Sequence, residues 1–469
     1  MFDNKIPVYW DYNRDPDNYF EGVNGYTKTQ LNNYTLATLG SNYKDLKTPT
    51  YENFGKTFEN NNFFVRPSKN KFRSWNVNTE AFVYLIRIEP FLAYNNTNDP
   101  EDKALLFWRD YVEIHPEVLD LICNQKRGKI CLYNNWEAWS PQVYNNIIEV
   151  LCKRYENLQP VDFIICSCNE LLSRDQSITH TVTASLLSID PFEQEIQDNI
   201  INGIKNKELR KNNFICLNRV NRFHRMAAFA ELWQDREYGI ISQMCVQYGK
   251  PGVDEFQSIA GMDHTGQEWV DYIKNIIKTN DQVAWNFKKG LQERYPESYA
   301  IYEKQDLINQ MPYMLQDDIS PIINPVPDPN TQKFFDSSLN IVTETMGDIE
   351  DGSVFLTEKT YKPILHFQPF VIVAGPNHIS SLQNRGYKTF SRWIDESYDS
   401  IEDNQTRLKT AVNSARRFYM RSKEDIAQDL YEMIDTLVYN RDHYQFEVDN
   451  LTTKMITQIA INLNYCRRN

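Results

Sequence analysis

Nowhere in its 469 residues does this chain carry an apolar run approaching the ~18 residues that a membrane-spanning helix needs. Its opening, Met1-Phe2-Asp3-Asn4-Lys5-Ile6-Pro7, also lacks the apolar stretch of a signal peptide. The expectation is a cytoplasmic protein with no membrane span. Cysteine offers no metal framework. The eight residues, Cys123, Cys131, Cys152, Cys166, Cys168, Cys216, Cys245 and Cys466, are scattered and include no Cys-x-x-Cys pair. Several lie in apolar runs such as Phe163-Ile164-Ile165-Cys166, which predicts reduced, buried thiols. The seven histidines, His115, His180, His224, His264, His366, His378 and His443, are isolated, with no pair at metal-binding spacing, so each is expected to be structural or on the surface. Positive charge is in deficit: 50 Lys and Arg face 63 Asp and Glu, a net charge of -13. Such a field repels phosphate backbones and anionic membranes, which disfavours nucleic acid as a partner. A local basic groove outweighs net charge, however, and a small ligand with two phosphates needs only a few Arg or Lys. No internal repeat and no low-complexity tract breaks the chain.

What is present is apolar and aromatic. Hydrophobic residues make up 41% and aromatics 13%, far too much for a disordered chain, and the length exceeds what one core serves. Residues 1–75, rich in Asn, Tyr, Asp and Thr, read as an irregular or partly strand-containing opening. From Ala81 the texture changes. Residues 81–88, 129–133 and 161–166 are short apolar, β-rich runs, and between the last two Val143, Ile147, Ile148, Val150 and Leu151 fall near helical spacing. Strand, helix, strand makes a parallel sheet. The same pattern restarts near 210, with strands at 213–217 and 238–244 around a helix at 225–234, and resumes at 339–345 and 369–375 after the proline-rich loop 321–329. The charged stretch 190–212 reads as a linker or helical crossover. Two amphipathic helices close the chain, one with Ile426, Leu430, Met433, Ile434 and Leu437 on its face, the other with Leu451, Met455, Ile459 and Leu463.

Two segments occupy the place where parallel sheets bind ligands, at the carboxyl end of a strand and the start of a helix. The first, from Leu217 to Arg225, carries Asn218 and the three arginines Arg219, Arg222 and Arg225. The second is Phe355-Leu356-Thr357-Glu358-Lys359-Thr360-Tyr361-Lys362-Pro363. Arginine donates two parallel hydrogen bonds to a phosphate, Lys supplies a compact charge, and a carboxylate suits ribose hydroxyls. For the arginines the residues leave phosphate binding open beside a solvated helix start, although cations oppose the dipole at a helix N-terminus. The adjacent Glu358 and Lys359 read equally well as ordinary surface charge. The acidic run from Trp393 to Asp399 is either a ligand-contacting loop or a solvated helix start.

The stretch from Leu339 to Gly375 resembles the donor-binding segment of glycosyltransferase family 10, the α-1,3-fucosyltransferases, through Phe355, Thr357, Glu358, Lys359, Pro369 and Gly375. Arg225 and Leu232, with Tyr238-Gly239 beyond, repeat that family's upstream spacing. The resemblance implies that Glu358 holds the nucleotide's ribose, Lys359 its phosphates and Arg225 the diphosphate, with Arg219, Arg222, Asn218, Thr357 and Tyr361 around them. Glu344-Thr345 stands where the family has Asn-Ser, and Val354-Phe355 where it has Asp-Tyr, so the donor, GDP-linked or UDP-linked, stays open.

The fold expected is α/β of the GT-B type, with two Rossmann-like domains facing a cleft and closing C-terminal helices. Residues 1–205 form the acceptor-side domain, 206–420 the nucleotide-sugar domain and 421–469 the closing helices. The activity implied is transfer of a sugar from a nucleotide-diphosphate donor to an acceptor hydroxyl, inverting and independent of metal and of any prosthetic group, with a glycan of a viral or bacterial surface as leading acceptor. A DNA-modifying glycosyltransferase acting on hydroxylated bases and an inactive sugar-binding protein are the alternatives. The general base should be a carboxylate or His. Glu137, in Asn135-Trp136-Glu137-Ala138-Trp139-Ser140-Pro141, is the candidate beside a plain helix-start role, and Glu170 is the second choice. Asp15-Pro16-Asp17 imitates a metal-binding Asp-x-Asp, but Pro16 favours a turn and no metal is expected.

Overall fold

A computed structural model describes residues 6–10, 63–67, 82–87, 114, 116–134, 140–169, 172, 181–183, 192–218, 222–243, 281–310, 313, 331–345, 347 and 353–465. The chain divides into two compact units, Met1–Ser185 with Asp449–Asn469, and Leu186–Val448. Both are α/β with parallel sheets, an arrangement compatible with Rossmann-like folds.

The first unit holds six parallel strands, β1 (Ile6–Trp10), β2 (Phe63–Pro67), β3 (Phe82–Arg87), β4 (Gly128–Asn134), β5 (Phe163–Ser167) and β6 (Thr181–Thr183), in the order β2-β1-β3-β4-β5-β6. A short helical turn, α1 (Pro116–Leu119), precedes β4, and α2 (Pro141–Arg154) links β4 to β5. β5 is buried at every position, as expected of a parallel strand covered on both faces. Its core joins Tyr84, Ile130, Leu132 and Ile165 to Tyr144, Ile147 and Leu151 of α2. Ser140, with Pro141 behind it at the first helical position, starts α2, and Lys153 and Arg154 favour its C-terminal end. The opening segment, which reads as irregular or partly strand-containing, supplies two strands, and β1 lies between β2 and β3.

The second unit begins with α3 (Gln194–Lys205), so the segment expected as a linker or crossover contains a helix of this unit. Four parallel strands follow: β7 (Asn212–Asn218), β8 (Gly239–Gln243), β9 (Ser337–Thr343) and β10 (Phe370–Val373), in the order β10-β9-β7-β8. Helix α4 (Phe223–Leu232) connects β7 to β8, and α5 (Asp281–Arg294), α6 (Pro296–Lys304) and α7 (Thr331–Phe335) lie between β8 and β9. Helix α8 (Glu358–Leu365) connects β9 to β10, and α9 (His378–Asn384), α10 (Asn404–Tyr419), α11 (Lys423–Glu432) and α12 (Ile434–Tyr465) follow. The expected face from Ile426 to Leu437 is divided between two helices, because α11 ends at Glu432 and the chain restarts as α12 after Met433.

β9 is buried at all seven positions despite the composition Ser-Ser-Leu-Asn-Ile-Val-Thr. It begins two residues before the apolar run, and its polar side chains are paired: Ser337 Oγ donates to Lys333 O at 2.7 Å, and Asn340 Nδ2 to Gln368 Oε1 at 3.4 Å. Gly239 starts β8 where a Cβ would lie 2.5 Å from both the backbone oxygen and the ring of Phe214 on β7. Gly239→Ala is therefore expected to force β7 and β8 apart and cost about 1–3 kcal/mol, read as a lower denaturation midpoint for the second unit.

Candidate functional site

In the second unit the chain leaves β7 toward β8 on one side and leaves β9 toward β10 on the other, while β7 and β9 pair directly. The connections diverge at the carboxyl ends of these two strands, the point at which open parallel sheets form a ligand crevice. Both sequence segments singled out above end there. Asn218 closes β7 with 2% of its surface exposed. Its Oδ1 accepts a short hydrogen bond from Thr343 Oγ1 on β9, and its N–H donates to Ser242 Oγ on β8 at 3.3 Å. Asn218 thus ties three strand ends together.

After β7 the chain enters α4 at Arg222, an extended N-cap residue whose side chain makes no capping bond. Arg225 lies in the first turn and is 3% exposed. Its Nη2 donates to the backbone oxygen of Glu344 at 3.0 Å, and His224 Nε2 donates to the same oxygen at 2.8 Å. These bonds join segments 119 and 120 residues apart. Burial first, and then the neighbouring charge of Arg222, push Arg225 down to about 10, against the pull of Glu344 and Glu358. It remains a cation at neutral pH, so two guanidinium groups share the positive end of a helix, an arrangement that an anion would stabilise. The helix is also anchored from behind. Asp235, just beyond its end, accepts from Arg416 Nε at 2.8 Å and Tyr419 Oη at 2.6 Å, and Glu231 accepts from Ser298 Oγ at 2.8 Å.

The residue after β9 is Glu344, fully buried. Its Oε1 accepts from Thr357 N at 3.0 Å and Thr360 Oγ1 at 2.6 Å, while Oε2 accepts from Thr345 N at 3.0 Å and Thr357 Oγ1 at 2.6 Å. One carboxylate thereby grips both ends of the loop 346–356 and the start of α8. Thr357 is the N-cap of that helix, its Oγ1 accepting from Lys359 N at 3.3 Å. The next two residues form a pair, Lys359 Nζ lying 2.6 Å from Glu358 Oε1 with both side chains about a quarter exposed (29% and 24%). Burial acts against the charge of Glu358, but the ammonium of Lys359, aided by Lys362, overrides it and holds this carboxyl at about 2.

The remaining expected residues fall elsewhere. Tyr361 belongs to the core, not to the crevice. It is fully buried, packed near Tyr387 and Tyr444, and its Oη accepts from Arg385 Nη1 at 2.5 Å. Although the i,i+3 spacing puts position 361 beside Glu358 on the helix, its ring runs into the core near Tyr387 and Tyr444. The acidic run serves the fold: Asp399 caps α9 by accepting from Ile379 N and Ser380 N, Glu396 accepts from Phe390 N, and Asp395 pairs with Arg417. Arg219, Glu137, Glu170 and Asp15-Pro16-Asp17 lie outside the described residues. Among the described residues no three His, Cys, Asp or Glu side chains group as metal ligands. Burial raises the Cys131 and Cys216 thiols to about 12, so they behave as inert core groups.

Three residues at the site carried no signal as ligands. Glu344, with Thr345, entered only as a departure from a family pattern, and Thr360 is ordinary in sequence. His224 reads as a lone histidine, yet Gly347 lies against it, since a Cβ there would come within 2.4 Å of its ring. His378, the first residue of α9, is also isolated in sequence. Its Nε2 accepts from Phe355 N at 3.4 Å and its Nδ1 donates to Gly375 O at 2.9 Å, which requires the neutral ring.

Two consequences are measurable. Glu344→Ala leaves Thr345 N, Thr357 N and two hydroxyl groups without their acceptor, and at about 1–3 kcal/mol for each bared buried donor the second unit should lose about 3 kcal/mol or more in urea denaturation. Burial also lowers the His378 pKa, against the opposing pull of Glu344, Asp399 and the carbonyls of Gly375 and Pro376. The unfolded chain therefore takes up a proton before the folded one does. Stability should be intact above about pH 6.5 and decline as pH falls below it. His378→Asn should flatten that decline in melting experiments between pH 7 and 5.

No family model matches this chain, and no curated protein matches it.

Proposed function

We propose that the second unit binds a nucleoside-diphosphate sugar at the carboxyl ends of β7 and β9, and that the protein is a glycosyltransferase of the GT-B type. The observation that carries this reading is the Arg225 bond to Glu344, which brings a cationic helix start and the Thr357-Glu358-Lys359 segment to one sheet crevice. Each part has a matching portion of the donor. The first turn of α4 lacks a side-chain cap, and its N–H groups, with Arg222 and Arg225, suit the diphosphate. Glu358, kept ionised, suits ribose hydroxyls. The similarity to family 10 in Phe355, Thr357, Glu358, Lys359, Arg225 and Gly375 supports the same reading.

In the reaction an acceptor hydroxyl attacks the anomeric carbon, the bond from that carbon to the diphosphate oxygen breaks, and a carboxylate takes the hydroxyl proton. Glu137 and Glu170 are the candidates for that base. Negative charge grows on the departing diphosphate, and guanidinium groups with helix N–H donors stabilise it without needing a metal. The resemblance implies inversion at the anomeric carbon. A glycan is the proposed acceptor.

A thermal-shift screen against GDP, UDP and their sugar conjugates tests the donor half. A ligand at one hundred times its dissociation constant adds about 2.7 kcal/mol, which raises the melting temperature by several degrees. If none of these nucleotides moves the melt, the reading fails. Arg222→Ala should retain the fold and lose most of the diphosphate-dependent shift. Release of nucleoside diphosphate in the presence of a glycan panel, compared with hydroxymethylated DNA, then separates the acceptor classes, and binding without turnover on either identifies a sugar-binding protein.

A further inference from the structure

We infer that Lys359 is a positioning residue that holds the loop base and aims Glu358 at the donor's ribose hydroxyls, leaving the phosphates to Arg222 and Arg225. The inference rests on the nucleotide reading above and assigns Lys359 a different part from the phosphate contact implied by the family resemblance.

An ammonium has three hydrogens to donate. Those of Lys359 face three oxygens: Glu358 Oε1 at 2.6 Å, Thr345 Oγ1 at 3.1 Å and Thr357 Oγ1 at 3.4 Å. The same two threonines are held from the other side by the buried Glu344 carboxylate, through Thr345 N at 3.0 Å and Thr357 Oγ1 at 2.6 Å. Thr345 and Thr357, on either side of residues 346–356, are thus bonded both to the Glu344 side chain and to the Lys359 ammonium. For Lys359 to reach a phosphate it would have to release its carboxylate partner and loosen those bonds. Arg222 is under no such constraint. It sits partly exposed at the N-cap of α4, and no hydrogen bond or ion pair engages its side chain among the described residues.

The ammonium also sets the chemistry of Glu358. Partial burial favours the protonated form of this carboxyl group, and a protonated acid would offer a donor to a sugar hydroxyl. The Lys359 charge keeps it an acceptor throughout the physiological range. Lys359 takes Oε1, which leaves Oε2 to receive a ribose hydroxyl. Loss of Lys359 should therefore act on ribose recognition, and loss of Arg222 on phosphate recognition.

Titration calorimetry separates the two roles, with GDP and UDP compared against their 2′-deoxy and 3′-deoxy forms. A hydrogen bond to a charged group is worth about 1.5–3 kcal/mol, so wild type should prefer the ribonucleotide over at least one deoxy form by about 10-fold or more. Lys359→Met and Glu358→Gln should each collapse that preference, and the double variant should be little worse than either single one. Thr345→Val, which removes one oxygen from the ammonium and keeps the side-chain shape, should reduce the preference in the same direction if Lys359→Met proves poorly folded. Arg222→Ala should weaken ribo and deoxy forms alike and preserve their ratio. Retention of the ratio in Lys359→Met and Thr345→Val, with uniform loss of affinity as in Arg222→Ala, overturns the positioning role and leaves the nucleotide site standing. Absence of discrimination in wild type also overturns it, whereas absence of all nucleotide binding removes the donor-site reading itself.

Discussion

A single buried carboxylate organises the carboxyl edge of the second unit's sheet. Glu344 follows the last residue of β9, has no exposed surface, and accepts four hydrogen bonds from Thr345, Thr357 and Thr360, while its own backbone oxygen accepts from His224 and Arg225. A carboxyl group so far from water is tolerated only when its polar atoms are hydrogen-bonded. That requirement turns the residue into a staple. It fixes where α8 begins, where the loop before it leaves and returns, and how close α4 approaches β9. Apart from Asn218 at the end of β7, the candidate donor contacts among the described residues lie in α4, in α8 or at the N-caps of these helices.

The two helices that start at this edge are consequently unequal. The N-terminus of α8 is already satisfied by internal oxygens, with Thr357 as cap and the Glu344 carboxylate against its first turn. The N-terminus of α4 has no side-chain cap and is flanked by arginines. A helix N-terminus attracts negative charge, and at α8 that charge is supplied from within the fold. The division explains why residues adjacent in a motif do not share a task. Thr357 caps α8, Lys359 bonds to Thr345 and to Glu358, and Tyr361 is buried in the core against Arg385.

Much of this arrangement was legible in the sequence because it rests on patterns of one segment at a time. Apolar runs marked β3, β4, β5, β7, β9 and β10 to within a few residues, and helical spacing marked α2 and α4. Arg225 and the Thr357-Glu358-Lys359 segment stood out because cations and mixed charges sat where strands give way to helices. What was hidden depends on contacts between distant segments. A glutamate in an ordinary strand ending shows no sign of burial until the threonines of a segment more than ten residues later are folded against it. β1 and β2 are five residues each in an Asn-rich stretch and offer too few positions for a period to emerge. Ser337 and Ser338 look like a turn, yet they open a central strand because Lys333 and Gln368 satisfy the surrounding polar groups. The division of the last helices at Met433 has no Gly or Pro to announce it.

Net charge is a poor guide to such a site. The chain carries a charge of -13, yet at the start of α4 Arg222 and Arg225 lie close enough for the first to depress the second. The cost of keeping Arg225 charged and almost fully buried is offset locally, by the carbonyl of Glu344 and by the carboxylates of Glu344 and Glu358. Those same carboxylates are spoken for: one is filled by threonines and backbone N–H groups, the other is paired with Lys359. On the donor-site reading proposed above, attraction for a compact diphosphate would come from this short-range cluster, within the field of a net charge of -13 that disfavours extended polyanions.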